Sequence, residues 1–437
     1  MNSTSSAHAS NPAGPGRRTP HHEPPGWSGG VVDSDGLSGM VSSIGPVPPS
    51  NSVFSRLLPP HQAHHIPLEF TGSGSEYFRI WVVNLLLTLV TLGVYHPWAK
   101  VRRLRYFYGH TEVAGQGLDF HGEPKKMLRG MLLTGVLFAA YSHALEVSGI
   151  AALVAALLVA ALTPLLLRGA LQFRLANTSW RGLRFAFAGS PRSAYTALTP
   201  PLLLGLVPLG LGVYLSAPGQ PAQPTSDVAS IAMVLAYLVL GVSLPYFFWR
   251  LKKYQHDHYR LAQLQSELRV GVGPVYGVYL RAAGLLAVLP LTFAALVWLG
   301  GAAGAAGSAK WSVTLWAFAG MIFAFGGLYL YIVVLPYFQA RQQNLVWTKT
   351  GNRYLRFRSD LSARAYILLQ LKNYLLILCT AGLYWPWAAV ANRRMRVAAV
   401  TLVSRIDLDE LYLALKPRGG DAAAEMADDV FGFDLGL

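Results

Sequence analysis

The chain carries the sequence NLLLTLVTLGVYHPWAKVRRLR from Asn84 to Arg105. A related sequence, NYLLILCTAGLYWPWAAVANRR, runs from Asn373 to Arg394, and an offset of 289 positions aligns the two. Both begin with an Asn inside an apolar run, break at a Gly and leave through a Tyr-x-Pro-Trp-Ala motif. Self-similarity of this kind predicts one structural device used twice. We call the two stretches, taken as residues 77–105 and 366–396, the Asn/Pro-Trp segments.

Composition predicts an all-α polytopic membrane protein. Of the 437 residues, 53% are hydrophobic and only 13% are charged, whereas an average soluble domain has roughly 25% charged residues. Between the two segments lie six apolar runs, each near the ~20 residues that span a bilayer. They are 129–146, 148–167, 194–216, 228–249, 281–305 and 312–338. These runs predict three transmembrane helical hairpins, flanked by the two repeated and kinked Asn/Pro-Trp segments.

The loops between the apolar runs fall into two sets by charge. The loops 143–148, 216–230 and 306–311 hold Lys310 as their single basic residue, whereas the alternate loops are rich in Lys and Arg. By the positive-inside rule the basic set is cytoplasmic. The formal net charge of +15 therefore indicates first the basic cytoplasmic loops and contact with anionic lipid headgroups, and only second nucleic acid. We expect no nucleic-acid partner.

The basic loops also contain a short alternating motif of the type Leu-x-Phe-x-Gly. Period-two apolar residues that end in Gly or Ser predict short strands, here cytoplasmic β-hairpins. The motif begins at Leu68, Leu118, Leu183, Leu268 and Leu355, and a weaker strand-like pattern covers Arg405–Asp409. Turn signals at 177–182 and 348–352 fit the hairpins.

The spacing of these motifs constrains the topology of the two Asn/Pro-Trp segments. Each segment is the single apolar run between two motifs, whereas the longer intervals enclose two runs. If all strands are cytoplasmic, each segment must enter and leave on the same side. We therefore predict kinked, re-entrant or interfacial helices, with breaks at Gly93/Gly382 and Pro97/Pro386. The alternative is a straight 20-residue helix that crosses the membrane.

The two ends of the chain are predicted to be tails around a membrane domain at 67–404. Residues 1–66 are rich in Pro and His and have no apolar period, so they predict disorder. Residues 405–437 read as an acidic tail. The single Cys379 excludes a disulfide within the chain and is expected to be a small buried side chain.

Polar and aromatic residues shared by the two segments are the candidate ligand contacts. They are Asn84, Asn373, Tyr95, Tyr384, Trp98 and Trp387. The two Asn side chains fit either ligand contacts at a pseudo-symmetric site or hydrogen bonds between helices, and the second interpretation is favoured. The tryptophans fit interfacial anchors. Candidate contacts to anionic lipid are Lys100, Arg102, Arg103, Arg105, Arg393, Arg394 and Arg396.

Motifs for catalysis are not found in the sequence. Residues 271–277 have neither Rossmann nor Walker spacing, and no nucleophile elbow or zinc-protease motif occurs. The pair His256 and His258 lies in a basic stretch and is read as solvated. We therefore expect no enzymatic activity, no cofactor and no metal.

Three stretches resemble the YjgN-like family of bacterial inner-membrane proteins. They are the Pro-Trp motif within 91–108, the Trp-Arg-Gly motif within 177–189, and the closing acidic stretch at 420–434. The resemblance runs from about residue 68 to the end and leaves out the N-terminal tail. It implies a multi-pass protein of the bacterial inner membrane with a domain of unknown function, and it carries no catalytic residues.

The expected function is non-enzymatic binding or movement of a lipid or small molecule in the membrane. The alternative is a membrane scaffold or interaction protein without transport activity. Membrane lipids with anionic headgroups on the cytoplasmic side are the expected partners. A homo-oligomer and a larger membrane complex both stay open.

Re-entrant segments predict that both termini of the chain are cytoplasmic. In a Cys379→Ala background, a single cysteine placed at either terminus should not react with an impermeant thiol reagent added to intact cells. Labelling of either terminus from outside would show that a segment crosses the membrane.

Overall fold

The structure is a computed structural model that describes residues 63–215, 226–300, 320–321 and 325–416, without the side chains of 226, 296, 297, 299 and 300. Most of the predicted N-terminal tail and of the acidic tail lies outside these residues. The helices are α1 Gly74–Val90, α2 His96–Gly109, α3 Pro124–Val147, α4 Gly149–Ala176, α5 Pro191–Leu215, α6 Ser226–Asp257, α7 Val272–Gly300, α8 Leu335–Thr348, α9 Ala363–Cys379, α10 Trp385–Ala398 and α11 Leu408–Leu415. The strands are β1 His64–Phe70, β2 Thr111–Val113, β3 Gln116–Phe120, β4 Thr178–Trp180, β5 Leu183–Phe187, β6 Tyr259–Leu261, β7 Leu264–Gln265, β8 Glu267–Leu268, β9 Thr350–Gly351, β10 Leu355–Ser359 and β11 Val400–Ser404.

Within the described residues, five helices, α3 to α7, are long and apolar enough to cross a membrane. Their mean hydropathy over the best window runs from 1.3 to 2.7. Most of their side chains face outward, and α3 has no buried residue at all. Outward apolar faces on helices of this length require hydrocarbon around them. The prediction of a mainly helical, polytopic membrane protein is confirmed. The sixth predicted run, 312–338, lies partly outside the described residues.

Prolines lie inside four of these long helices. They are Pro164, Pro200, Pro201, Pro208, Pro245 and Pro290. Pro336 is different, because it lies in the first turn of α8, directly after a π-helical turn at Leu330–Val334. A wider turn before a proline accommodates the hydrogen bond that its ring nitrogen cannot donate.

The described chain repeats one unit. In each unit a strand is followed by two helices and then by a second strand, and the two strands pair antiparallel. The pattern holds for β1-α1-α2-β2, β3-α3-α4-β4, β5-α5-α6-β6 and β10-α9-α10-β11, and β8 and β9 close the unit that holds α7 and α8. Representative pairs are Leu68↔Val113, Leu118↔Trp180, Phe185↔Leu261, Leu268↔Thr350 and Leu355↔Ser404. The strands thus form one sheet rather than separate hairpins.

The strand order of this sheet returns to its starting point. It runs β7-β6-β5-β4-β3-β2-β1-β11-β10-β9-β8. Its two end strands, β7 and β8, are consecutive in the chain and are separated only by Ser266. The Ser266 N–H donates to the carbonyl of Tyr259 at 2.8 Å. Since one residue spans only a few ångströms, the two ends of the sheet must be neighbours.

The glycine of the Leu-x-Phe-x-Gly motif has a packing role. A Cβ at Gly72, Gly122 or Gly189 would lie 2.5–2.8 Å from ring atoms of the Phe two residues earlier. Any side chain at these positions would displace that buried ring. Each glycine therefore lets the strand end fold back on its own Phe before the first helix of the unit begins.

Helix α11 packs into the core that the strands provide. Its buried residues Leu408, Leu411 and Leu415 belong to a cluster with Trp180 and Leu402. Partly buried residues from both ends of the strand order complete the cluster: Ile66, Leu68, Val113, Leu118, Phe185, Leu261, Leu264, Leu355 and Phe357. The sheet therefore wraps its apolar face around α11.

The strand predicted at 405–409 is wrong. The strand ends at Ser404 and Leu408 begins α11. Asp407 caps this helix, because its Oδ1 accepts the N–H of Asp409 at 2.7 Å. The apolar residues Leu408, Leu411 and Leu415 follow helical spacing, so part of the predicted acidic tail belongs to the folded core.

Packing around α11 predicts a clear difference between two of its leucines. Leu411→Ala should lower the free energy of unfolding by about 2–5 kcal/mol, because it leaves a cavity among buried side chains. Leu413 is 71% exposed, so Leu413→Ala should change the stability by less than about 0.5 kcal/mol. Thermal unfolding of both variants in detergent measures this difference, and equal melting temperatures would contradict the packing of α11.

Candidate functional site

The two Asn/Pro-Trp segments have matching structures. Helices α1 and α9 each have 17 residues, α2 and α10 each have 14, and every boundary is shifted by the same 289 positions. A short left-handed turn separates the helices of each pair. Its backbone φ angles are 49° and 91° at Leu92 and Gly93, and 48° and 93° at Ala381 and Gly382.

One threonine organises each turn. Thr91 Oγ1 donates to the carbonyl of Leu87 at 2.7 Å and accepts the N–H of Tyr95 at 3.0 Å. Thr380 makes the equivalent bonds to Leu376 and Tyr384 at 2.7 and 3.0 Å. The hydroxyl thereby links the end of the first helix to the start of the second.

The prolines do not mark the break, contrary to the prediction. Pro97 and Pro386 lie in the first turn of α2 and α10, where a proline costs no hydrogen bond. The break itself is at the left-handed turn, where Gly93 and Gly382 adopt positive φ. Each segment is therefore two helices joined by a tight turn rather than one kinked helix.

The turns expose apolar side chains. Leu92 is 94% exposed and Val90 is 81% exposed, and Leu378 at the equivalent tip is 79% exposed. Cys379, which was expected to be buried, is exposed beside Leu378. A helix tip with this composition is stable in contact with lipid or another apolar surface, not with water.

Both asparagines are buried, and each has its own polar partner. Asn84 Oδ1 accepts a long bond of 3.5 Å from Arg102 Nη1, and Asn373 Nδ2 donates to Asn392 Oδ1 at 3.2 Å. Both bonds join the first helix of a pair to the second, which fits the interhelical interpretation. Asn373 Oδ1 is buried and accepts no hydrogen bond from any described residue.

The Tyr and Trp of each motif stack on one another. The ring centroids are 6.1 Å apart in Tyr95 and Trp98, and 5.9 Å apart in Tyr384 and Trp387. Trp387 also stacks on Phe78 of α1 at 4.8 Å. The second segment is thus packed against the first through its tryptophan.

The basic residues of the two segments differ in their surroundings. Lys100, Arg102, Arg103 and Arg105 are all exposed along α2. In α10, by contrast, the basic residues contact protein groups: Arg394 donates to the carbonyl of Gly72 at 2.8 Å and Arg396 donates to Gln343 Oε1 at 2.7 Å. The four basic residues of α2 therefore lie at the surface, whereas Arg394 and Arg396 of α10 make hydrogen bonds within the fold.

Two shifted pKa values mark how these helices are held. Burial, and then the charge of Glu76, raises the pKa of Tyr106 to about 12. Its neutral hydroxyl donates to the carbonyl of Ser73 at 2.8 Å and ties α2 to the start of α1. Burial lowers the pKa of Arg393, and the cations of Arg396 and Arg174 act in the same direction.

Sequence reasoning missed two cations that the fold brings to α10. Arg174, in the last turn of α4, lies within electrostatic range of Arg393, and Lys252 of α6 lies within electrostatic range of Arg396. The sequence places them 78 positions apart and far from either Asn/Pro-Trp segment. Their common position near the end of a helix that leads into a strand is the one signal that could have grouped them.

These features define a class of protein: a multi-pass helical membrane protein whose helix pairs are mounted on one sheet. The model of the family described as "Bacterial protein of unknown function (DUF898)" matches residues 65–430. The chain belongs to this family, and the resemblance read from its motifs is confirmed.

Curated relatives carry the name "Inner membrane protein YjgN". The chain is 33% identical over 184 residues to that of Escherichia coli (strain K12), which covers 41% of this chain and 45% of the relative. It is 31% identical over 154 residues to that of Salmonella typhimurium, covering 35% of this chain and 39% of the relative. Each match therefore spans less than half of the relative. No solved structure matches. With its membrane-spanning helices and these relatives, the chain is a multi-pass protein of the bacterial inner membrane.

The packing of Trp387 on α1 predicts that a substitution at Gly74 destabilises the protein. A glycine in a helix without such a neighbour, Gly135, serves as the control. A Cβ on Gly74 would lie 2.2 Å from Cδ1 of Trp387, so Gly74→Ala should lower the free energy of unfolding by about 1–3 kcal/mol. Gly135 in α3 has no such neighbour within 4 Å, so Gly135→Ala should raise it by up to about 1 kcal/mol. Thermal unfolding of the purified protein separates the two effects.

The cause of the Gly74 effect can be checked with a double variant. Adding Trp387→Leu should remove most of the Gly74→Ala penalty, because the clashing ring is gone. A penalty that stays unchanged in the double variant would show that Trp387 does not pack on Gly74.

Proposed function

We propose that this protein is a non-enzymatic inner-membrane protein that binds anionic lipid at its first Asn/Pro-Trp segment. Both segments re-enter the membrane from the cytoplasmic side, as two copies of one device, and the strands lie in the cytoplasm. The observation that carries this function is the combination of an exposed apolar tip at the turn between α1 and α2 with exposed cations on α2.

Helix lengths support a re-entrant segment. Arg102 lies six residues beyond the start of α2, which is about 9 Å at the rise of an α-helix. The turn at 91–95 adds a few ångströms, so the apolar tip extends roughly 12–15 Å beyond Arg102. That depth is about half of the ~30 Å hydrocarbon core. With Arg102 at the headgroups, the tip reaches the middle of the bilayer and does not cross it.

Strand pairing supports the same arrangement. The strand before α1 pairs with the strand after α2, and β10 before α9 pairs with β11 after α10. A segment whose two ends are held side by side cannot place them on opposite sides of a membrane. The basic loops assign that shared side to the cytoplasm.

The exposed cations of α2 supply the headgroup contact. Lys100, Arg102, Arg103 and Arg105 cover two turns of the helix, and each cation near an anionic surface contributes ~1 kcal/mol. Arginine can also hold a phosphate with two parallel hydrogen bonds. The absence of catalytic motifs from the sequence is the reason to propose binding rather than an enzymatic reaction.

Replacing Arg102, Arg103 and Arg105 by Gln should remove most of the anionic phospholipid that co-purifies with the protein. The matched control replaces Arg353, Arg356 and Arg358, three exposed arginines at the β9–β10 turn and on β10, and should retain that lipid. Quantitative lipid mass spectrometry of the detergent-purified proteins measures the ratio. An equal loss in both triple variants would leave only a general charge effect and contradict a site on α2.

The asparagines separate lipid binding from transport. With lipid binding alone, Asn84→Leu and Asn373→Leu should lower the melting temperature and leave the bound lipid unchanged, because both amides join helices. Well-folded Asn variants that lose a measurable flux in proteoliposomes would instead favour a transporter.

A further inference from the structure

Four cations from three helices meet where those helices reach the sheet. They are Arg174 of α4, Lys252 of α6, and Arg393 and Arg396 of α10, and we call them the cation cluster. Lys252 is repelled by Arg174 and Arg396, and Arg393 is repelled by the same two residues. Arg174 and Arg396 thus both act on the two more buried cations of the cluster.

Carboxylates do not balance this charge. Among the ion pairs of the described residues, none includes a member of the cation cluster. The nearby Asp257 pairs instead with Lys253 at 3.0 Å and accepts the N–H of Leu268. Like charges held together at partial burial are costly unless an anion joins them.

Helix dipoles offer a second source of negative charge, but it is too small. Helices α4, α6 and α10 all end at the sheet next to the cluster, and each C-terminus carries roughly half of an elementary charge. Three helix ends therefore offset about 1.5 of the four positive charges. A net positive charge of roughly two or more is left for another group to neutralise.

The cluster also keeps unused hydrogen-bond donors. Arg174 Nε donates to the hydroxyl of Tyr108 at 2.8 Å, and Arg396 Nε donates to Gln343 at 2.7 Å. Arg393 Nη2 makes only a long bond of 3.4 Å to Thr111 Oγ1, and its Nε is buried without any partner in the described part of the chain. A buried guanidinium N–H with no acceptor points to a missing ligand oxygen.

Exposure gives such a ligand access. Arg174 and Arg396 are exposed, whereas Lys252 and Arg393 are partly buried. An anion can therefore reach the first pair from solvent and contact the second pair at the inner end of the site.

We propose that the cation cluster is a binding site for a phosphate group, distinct from the lipid contact on α2. Arginine forks match phosphate oxygens with paired hydrogen bonds, and the lysine adds a point charge. The phosphate belongs either to free inorganic phosphate or to a phospholipid headgroup, which share this chemistry.

Two adjacent lysines provide the test. Lys252 donates a hydrogen bond to Gln255, and Lys252→Met removes its charge from the cluster. This substitution should weaken phosphate binding about tenfold. Lys253→Met removes the same charge one residue later, outside the cluster, and should leave phosphate binding unchanged. Lys252→Arg should restore it. Inorganic phosphate is titrated calorimetrically into the delipidated full-length protein, with chloride as the reference anion.

A stability measurement distinguishes this site from simple dipole compensation. In phosphate-free buffer, Lys252→Met should raise the melting temperature, because it relieves repulsion among cations, and added phosphate should stabilise the wild type more than the variant. If Lys252 only stabilised the helix dipole, Lys252→Met would lower the melting temperature and phosphate would stabilise both proteins equally. That pair of results would overturn the site.

The source of the phosphate is resolved by native mass spectrometry of the same proteins. A phospholipid retained by the wild type and lost from Lys252→Met assigns the site to a headgroup, whereas phosphate binding without retained lipid assigns it to the free anion. If the wild type binds no phosphate and retains no lipid that depends on Lys252, the site is overturned. Since the α2 cations are untouched by these variants, the lipid site proposed there stands or falls separately.

Discussion

Antiparallel pairing between the strand that enters a helix pair and the strand that leaves it is the constraint on which the rest of the structure depends. The antiparallel pairing that places Leu68 opposite Val113, or Leu355 opposite Ser404, holds the two ends of a helix pair about 5 Å apart. Every apolar helix pair must therefore turn back before it ends. Where the helices are long, as in α3 and α4, the turn can lie across the bilayer. Where they are short, as in α1 and α2, the turn lies closer to the sheet.

The same constraint concentrates charge. Because the second helix of each pair runs directly into a strand, the basic residues near the ends of α4, α6 and α10 gather beside one sheet. Repulsion among Arg174, Lys252, Arg393 and Arg396 is then a consequence of the topology, not of any local sequence. An anion relieves that repulsion, whereas an added carboxylate in the fold would have removed the need for one.

Several predictions from sequence match the structure because they rest on local chemistry. Apolar runs of bilayer length became long helices with outward apolar faces, and the family resemblance rested on short motifs whose own residues are contiguous in the chain. Errors occurred where one residue type serves two structures. Pro97 was read as a kink, although a proline at the start of a helix is equally favourable, and Ile406 with Leu408 was read as period two, although Leu408, Leu411 and Leu415 belong to a helix.

The sequence by itself determined that this is a multi-pass membrane protein, where its apolar runs lie, which loops are basic, and that two segments share one pattern. These properties depend on composition and on short-range spacing. Only the tertiary structure decided that the strands share a single sheet, that α11 packs inside it, and that Arg174 and Lys252 meet Arg393 and Arg396. Contacts between residues that are tens to hundreds of positions apart depend on strand order and register, and no local pattern in the chain encodes them.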